Sequence, residues 1–247
     1  MRVEANAKLT LSLRVTGVRA DGYHELDAVM VTVTYPRDIV TIEPAERTSI
    51  AVDGPFAAGV PLDASNLAWR AADACGASLA INIEKHIPHG GGLGGGSADA
   101  AAVLVAQGAD PAVGATIGAD VPFCMRGGAA RVRGIGEMIE PIDVPRRFVV
   151  IATPPFACAT ADVYRTWDAM GGPKHNDNDL EPAAQRVEPR LVGFKAAVED
   201  AAGAPAILAG SGSSCAVLFD DDVLARAAYE RVATSVKATV WFGRAPA

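Results

Sequence analysis

Pro88-His89-Gly90-Gly91-Gly92-Leu93-Gly94-Gly95-Gly96-Ser97 decides the reading of this chain. Before it, Leu79, Ile81 and Ile83 alternate with Ala80, Asn82 and Glu84, the period of a half-buried strand. After it, Ser97 to about Gln107 reads as a helix, with Ala98, Ala101, Ala102 and Val105 suited to close packing on a sheet. Glycine loses more backbone freedom on folding than any other residue, and a plain turn needs only one or two. Six glycines around one leucine therefore point to a chemical use. Bare backbone lets consecutive N–H groups approach an anion, and the following helix adds its positive end. Ser97, expected at or near the N-cap, offers a hydroxyl to a phosphate or to its Mg²⁺.

The loop is of no common nucleotide type. No lysine follows the last glycine, so the G-x-x-x-x-G-K-[ST] pattern is absent. Gly90, Gly92 and Gly95 satisfy G-x-G-x-x-G, and Asp110 stands where a ribose-binding acid would fall. Yet Glu84–His89 intervenes between Ile83 and the first glycine, and Asp110 sits in a Gly-Ala-Asp-Pro turn. A dinucleotide fold ranks low on both counts.

Outward from the loop, Ala7–Val15, Val29–Tyr35 and Asp38–Ile42 read as strands, the last two broken by Pro36 and Arg37. Asn66–Cys75 has helical composition, and Gly118–Phe123 opens a short helix. Ala129–Val132 and Phe148–Ala152 are further strands, and Pro154–Pro189 is rich in loop residues. The tail is regular: helix Arg190–Ala202, strand Ala206–Leu208, strand Cys215–Phe219, helix Asp222–Ser235 capped by Asp222, strand Ala238–Phe242. Strands with irregularly interposed helices favour an α+β class, and a boundary near Val144-Pro145 divides 1–144 from 145–247.

Composition narrows the function classes. The 247 residues are half hydrophobic and 21% charged, which fits a folded chain with a sizeable core. A net charge of −7 argues against general nucleic-acid or anionic-membrane binding while allowing a local phosphate pocket. Neither a run of 18 apolar residues nor a signal-like amino terminus is present, so a cytoplasmic protein is expected. Cys75, Cys124, Cys158 and Cys215 are scattered, as reduced, mostly buried thiols would be. His86 and His89 flank Pro88 without metal spacing, and His175 lies in a polar loop.

Pro88–Ser97 with Ala98-Asp99-Ala100-Ala101 resembles the central phosphate motif of the GHMP kinases, the family of galactokinase, homoserine kinase and mevalonate kinase. Five further segments are similar to those of its 4-diphosphocytidyl-2-C-methyl-D-erythritol kinase branch. Ala7-Lys8-Leu9-Thr10-Leu11 is like its opening A-K-[IL]-N-L, and Arg19–Leu26 is like R-x-D-G-Y-H-x-[IL]. Gly118-Ala119-Asp120-Val121-Pro122-Phe123 matches G-A-D-V-P-F, while Asn178–Glu181 and Gly210–Ser214 fit its C-terminal half. The motifs run in order from Lys8 to about Phe219.

The resemblance implies a ribosomal-protein-like N-terminal domain and a ferredoxin-like C-terminal domain with the cleft between them. It implies ATP and Mg²⁺, with phosphorylation of the 2-hydroxyl of the cytidyl substrate. Asp120 and Lys8 take the catalytic positions. Asn66, Lys85 and the residues from Pro88 to Ala98 take the ATP positions, with Ser97 toward the metal. Tyr23, His24, Thr160 and Tyr164 take the substrate positions. Two departures stand out. Thr10 replaces the usual asparagine, and only 22 residues separate Ser97 from Asp120, a stretch the family makes longer. A lost helix after Pro111 would leave Asp120 loosely placed, as in a non-catalytic nucleotide-binding relative. A GHMP kinase acting on another small alcohol is the remaining alternative.

Overall fold

A computed structural model describes all 247 residues. Strands β1 (Arg2–Val18) and β2 (His24–Pro44) form a long antiparallel hairpin. One edge of β2 belongs to β1. The other is shared by β4 (Leu79–Glu84), against Ile39–Pro44, and β5 (Ala129–Gly134), against Leu26–Val31. β3 (Ser49–Asp53) lies parallel to β4 and β6 (Met138–Pro141) antiparallel to β5, completing a six-stranded sheet. The two strands expected on either side of Pro36 are one strand, because Pro36 falls where β1 pairing jumps from Asn6↔Arg37 to Lys8↔Thr32. No ladder donor is required there, so proline's missing N–H costs little.

Helices α1 (Leu67–Ala74), α2 (Gly95–Ala106), α3 (Pro111–Ile117) and α4 (Val121–Arg126) pack around this sheet. Helix α3, whose loss the short 97–120 stretch suggested, is present: Asp110 caps it through the Ala112 N–H at 2.8 Å, with Pro111 in its first turn. The Gly-Ala-Asp-Pro turn is thus a helix start. Ser97 is not the cap of α2. Gly94 caps it with φ +70°, and Ser97 is the third helical residue.

The second sheet holds β7 (Arg147–Thr153), β8 (Ile207–Leu208), β9 (Cys215–Phe219) and β10 (Thr239–Ala245), in the order β10-β7-β9-β8. With α7 (Arg190–Ala202) and α8 (Asp222–Ser235) it makes a β-α-β-β-α-β unit, the expected ferredoxin-like arrangement. The stretch expected to be loop contains α5 (Thr160–Ala169), which buries Val163 and Trp167 on one face, and the short α6 (Glu181–Val187). Asp221, rather than Asp222, caps α8.

Two apolar cores hold the molecule, and each draws on both sheets. One joins Leu9, Val31, Ile83 and Leu104 to Ile151 and Ala216. The other joins Leu13, Met30 and Phe123 to Val150, Leu191 and Val217. This shared packing fixes the cleft whose floor is β1 and whose wall is the glycine run.

Candidate active site

The glycine run leaves β4 and bends back toward β1 before entering α2. Gly90, Gly92 and Gly94 all take left-handed φ values, +72°, +76° and +70°, between residues that do not. Such alternation turns successive N–H groups to one side. The carbonyls are anchored: Gly91 accepts from the Ser214 N–H, Leu93 from Lys8 and Gly94 from Ala98. None of the N–H groups from His89 to Ser97 donates to a protein acceptor. The loop presents a row of amide donors at a helix N-terminus, which is what polyphosphate oxygens require.

The glycines are also demanded by close packing. A Cβ on Gly94 would lie 2.8 Å from Lys8 Cγ, one on Gly90 2.9 Å from Ala157 Cβ, and one on Gly95 2.9 Å from Ile87 Cγ2. At Gly92 it would strike the Ala209 carbonyl. The bareness of the run serves contact with β1 and the 209–214 loop as much as access for a ligand.

Lys8, 5% exposed on β1, reaches along this wall. Its Nζ donates to Thr10 Oγ1 at 3.2 Å and lies 3.3 Å from Asp120 Oδ2. Asp120 sits at the α3–α4 junction, in the N-cap position of α4, and its side chain makes no capping bond. The carboxylate is about a third exposed and directed at the lysine. Thr10, where the family has asparagine, is itself buried and holds the ammonium.

A cavity of about 650 Å³ joins these groups. Lys8, Thr10, Asp120, Asn66, Lys85, Pro88, His89, the six glycines, Leu93, Ser97, Thr160 and Tyr164 all line it. The Ser97 hydroxyl lies 3.9 Å from where a Cβ on Gly118 would be, beside the segment carrying Asp120. Thr160, the first residue of α5, shares a hydrogen bond with Ser211 at 2.9 Å. Burial, followed by the charge of Asp120, pushes the Tyr164 phenol up, so it stays neutral.

Other expected residues are placed differently. Ala98 is turned into the core and does not line the cavity. Asn66 uses its side chain to cap α1 through the Ala68 N–H and to donate to the Pro61 carbonyl. The Lys85 ammonium is 2.5 Å from both Asp38 Oδ2 and Asp99 Oδ2 and is almost wholly buried. Tyr23 is 60% exposed and outside the cavity lining. His24 packs its ring on Tyr164, 4.7 Å between centroids, and on Trp167, with Nε2 2.8 Å from Asp168 Oδ1. His175 forms no metal cluster with Asp177, and no group of three ligating side chains exists.

Several contributors escaped the sequence reading. Asp38 and Asp168 carry no motif of their own, Asp99 and Ser211 lie in motif segments without a role assigned to them, and all four are seen through their partners. Asn178 and Asp179 tie the cleft's far wall together. Asn178 Nδ2 donates to the Leu208 and Gly210 carbonyls, and Asp179 accepts from the Val15 and His175 N–H groups. Burial opposes the Asp179 charge, but these bonds with Arg14 and Lys174 hold its carboxyl below the usual range.

Comparison with known proteins bears on the family and the fold. The GHMP kinases N terminal domain family matches residues 66–128, from the cap of α1 to the start of β5. A 4-diphosphocytidyl-2-C-methyl-D-erythritol kinase of Cereibacter sphaeroides (strain KD131 / KCTC 12085) is 38% identical over 93% of each chain. That of Paracoccus denitrificans (strain Pd 1222) is 37% identical over 94% of this chain and 92% of its own. A crystal structure of 4-(cytidine 5'-diphospho)-2C-methyl-D-erythritol kinase superposes with a TM-score of 0.79, at 32% identity and 99% coverage of both chains. The mevalonate kinase of Methanococcus jannaschii shares the fold at 12% identity and a TM-score of 0.63, over 99% of this chain and 98% of its own. By sequence relatives and by fold together, this chain belongs to the 4-diphosphocytidyl-2-C-methyl-D-erythritol kinases, a branch of the GHMP kinase family.

Proposed function

We propose that this chain transfers the γ-phosphoryl group of ATP to the 2-hydroxyl of 4-diphosphocytidyl-2-C-methyl-D-erythritol, giving the 2-phosphate and ADP. The observation that carries the reading is the Lys8–Asp120 pair, 3.3 Å apart in one cavity with the unpaired amides of the glycine run. A module that only bound a nucleotide would have no chemical use for that pair beside the loop. Asp120 accepts the proton of the substrate hydroxyl, whose oxygen bonds to the γ-phosphorus as the bond to the ADP oxygen breaks. A carboxylate is a weak base, so most of its contribution is orientation of the hydroxyl. Lys8 orients Asp120 through their ion pair and brings positive charge beside the transferring group.

The phosphates take the amides of Gly90–Ser97 and the N-terminal end of α2, which replace the absent Walker lysine. The Ser97 hydroxyl, a hard oxygen at the cavity wall, would hold Mg²⁺, which would supply neutralisation of phosphate charge. Only one or two protein oxygens are needed for that ion, in keeping with the lack of a larger ligand cluster. Tyr164 and His24 form the cytidine end. The half-buried Tyr164 ring offers a stacking face, and His24 carries polar atoms toward Asp168. Tyr23, next to them and exposed, contributes less.

The chain is read as two units, 1–144 and 145–247, supported by the change of sheet between Pro141 and Arg147. A cytoplasmic setting is supported by four unpaired thiols. No helix is long and apolar enough to cross a membrane. An ADP-release assay with the cytidyl substrate beside mevalonate and homoserine tests the function. Turnover with the first alone is expected; equal or better turnover with either of the others would overturn the substrate.

A further inference from the structure

Lys85 is the one cation in a fully buried group of three. Asp38 on β2 is wholly inaccessible, Asp99 on α2 is 2% exposed and Lys85, just past the end of β4, is 2% exposed. The ammonium lies 2.5 Å from one oxygen of each carboxylate. The second oxygen of Asp38 accepts the His86 N–H at 2.5 Å and the Ile87 N–H at 2.7 Å, the last residues before the glycine run. The second oxygen of Asp99 has no partner. Nζ stands 3.0 Å from where a Cβ on Gly95 would be, directly under the first residue of α2.

We propose that Lys85 is a positioning residue that pins both ends of the phosphate loop to one ammonium, through Asp38 at its entry and Asp99 at its exit. This rests on the reading that the glycine run holds the ATP phosphates. A segment with six glycines has many conformations, and holding its amides in one row has an entropic cost borne at nucleotide binding unless it is met beforehand. Fixing Ile87 and α2 relative to each other meets it in the folded protein. Stability alone does not require such a group. Two carboxylates around one lysine leave an excess negative charge in the interior, and apolar replacements of buried ion groups are commonly as stable.

The geometry separates positioning from stability. Asp99→Asn removes the surplus charge and leaves a balanced Asp38–Lys85 pair, so the fold is retained while the hold on α2 is weakened. Calorimetric ATP binding to the full chain, amide hydrogen exchange over residues 86–99, and the KM for the cytidyl substrate are measured for the unaltered protein, Asp99→Asn and Lys85→Met. The expected result is about tenfold weaker ATP binding in both variants, the scale of ordering a few loop residues. Faster exchange across the glycine run and an unchanged cytidyl KM are expected alongside it. ATP affinity and loop exchange equal to the unaltered protein in folded Asp99→Asn would overturn the clamp, whatever becomes of Lys85→Met. A failure of ATP to protect the loop amides of the unaltered protein would instead overturn the placement of ATP on which the clamp rests.

Discussion

Lys8 Nζ lies 3.3 Å from Asp120 Oδ2, although one belongs to the first strand and the other to a helix junction. The pair is asymmetric. Lys8 is buried and held from behind by Thr10, while Asp120 is partly open to the cavity and free of capping duty. That leaves the carboxylate as the member able to meet a hydroxyl. Asp120→Asn is expected to keep the fold and ATP affinity while lowering turnover roughly 10²–10⁴-fold, the range of a positioned acid–base group. Near-normal turnover would remove Asp120 from the mechanism.

Lys8→Met should lower kcat with little change in the cytidyl KM, because the lost charge acts at the transferring group. Thr10 gives a second handle on the same ammonium. Thr10→Val, which keeps the shape and removes the acceptor, is expected to reduce kcat by about tenfold, one charge-assisted hydrogen bond. Thr10→Ser should retain most of the activity. A Thr10→Val enzyme with the unaltered rate would show that Lys8 needs no such support.

Gly94→Val should abolish turnover, for a reason the sequence does not suggest. The added Cβ presses on the Lys8 side chain 2.8 Å away, at a φ of +70° that a β-branched residue avoids. Both kcat and ATP affinity are expected to fall. A variant binding ATP normally but inactive would confine the damage to Lys8, and unaltered kinetics would refute the loop assignment.

Tyr164→Ala should weaken binding of the cytidyl substrate by about one to two orders of magnitude, the worth of a base stacked on one aromatic ring. ATP affinity should stay the same. Tyr23→Ala should do less, since its ring is exposed and outside the cavity. Unchanged Michaelis constants in both variants would mean that the cytidine pocket lies elsewhere.

The buried Asp99 carboxyl predicts a pH effect on stability. Burial raises it from the ordinary carboxylate range to about 7, so the folded state binds this proton more tightly than the unfolded chain does. Its contribution is therefore fully present below the unfolded value and is lost as the pH rises through about 7. The Tm of the unaltered protein should fall relative to Asp99→Asn between about pH 4 and pH 8 and level off above that. Parallel curves would refute that titration.

Much of the fold could be read along the chain where local pattern and tertiary environment agree. The period-2 run Leu79–Glu84, the helix Arg190–Ala202 and the strand Cys215–Phe219 stand where their alternation and composition put them. They bury one face against a core, so side-chain period and burial report the same thing. Helices α5 and α6 were less legible, being short and rich in polar or breaking residues, and they gain their helicity from packing. The glycine run was legible because no ordinary connector uses six glycines.

The sequence by itself determined the α+β class and the phosphate loop, which follow from composition, period and the glycine run, and its ordered motifs, by their resemblance to the GHMP kinases, named Lys8, Asp120 and Tyr164 as residues expected in the cleft. Only the tertiary structure decided how they meet. It carried β2 through Pro36 at a gap in its pairing, kept α3 in a short connection so that Asp120 reaches Lys8, and turned Tyr23 outward. It also enclosed Lys85 between two carboxylates that belong to distant segments. Pairings of this kind depend on chain reversals that bring remote residues within a few ångströms, and their strength depends on how much water the packed core excludes. Neither quantity is local to any stretch of sequence.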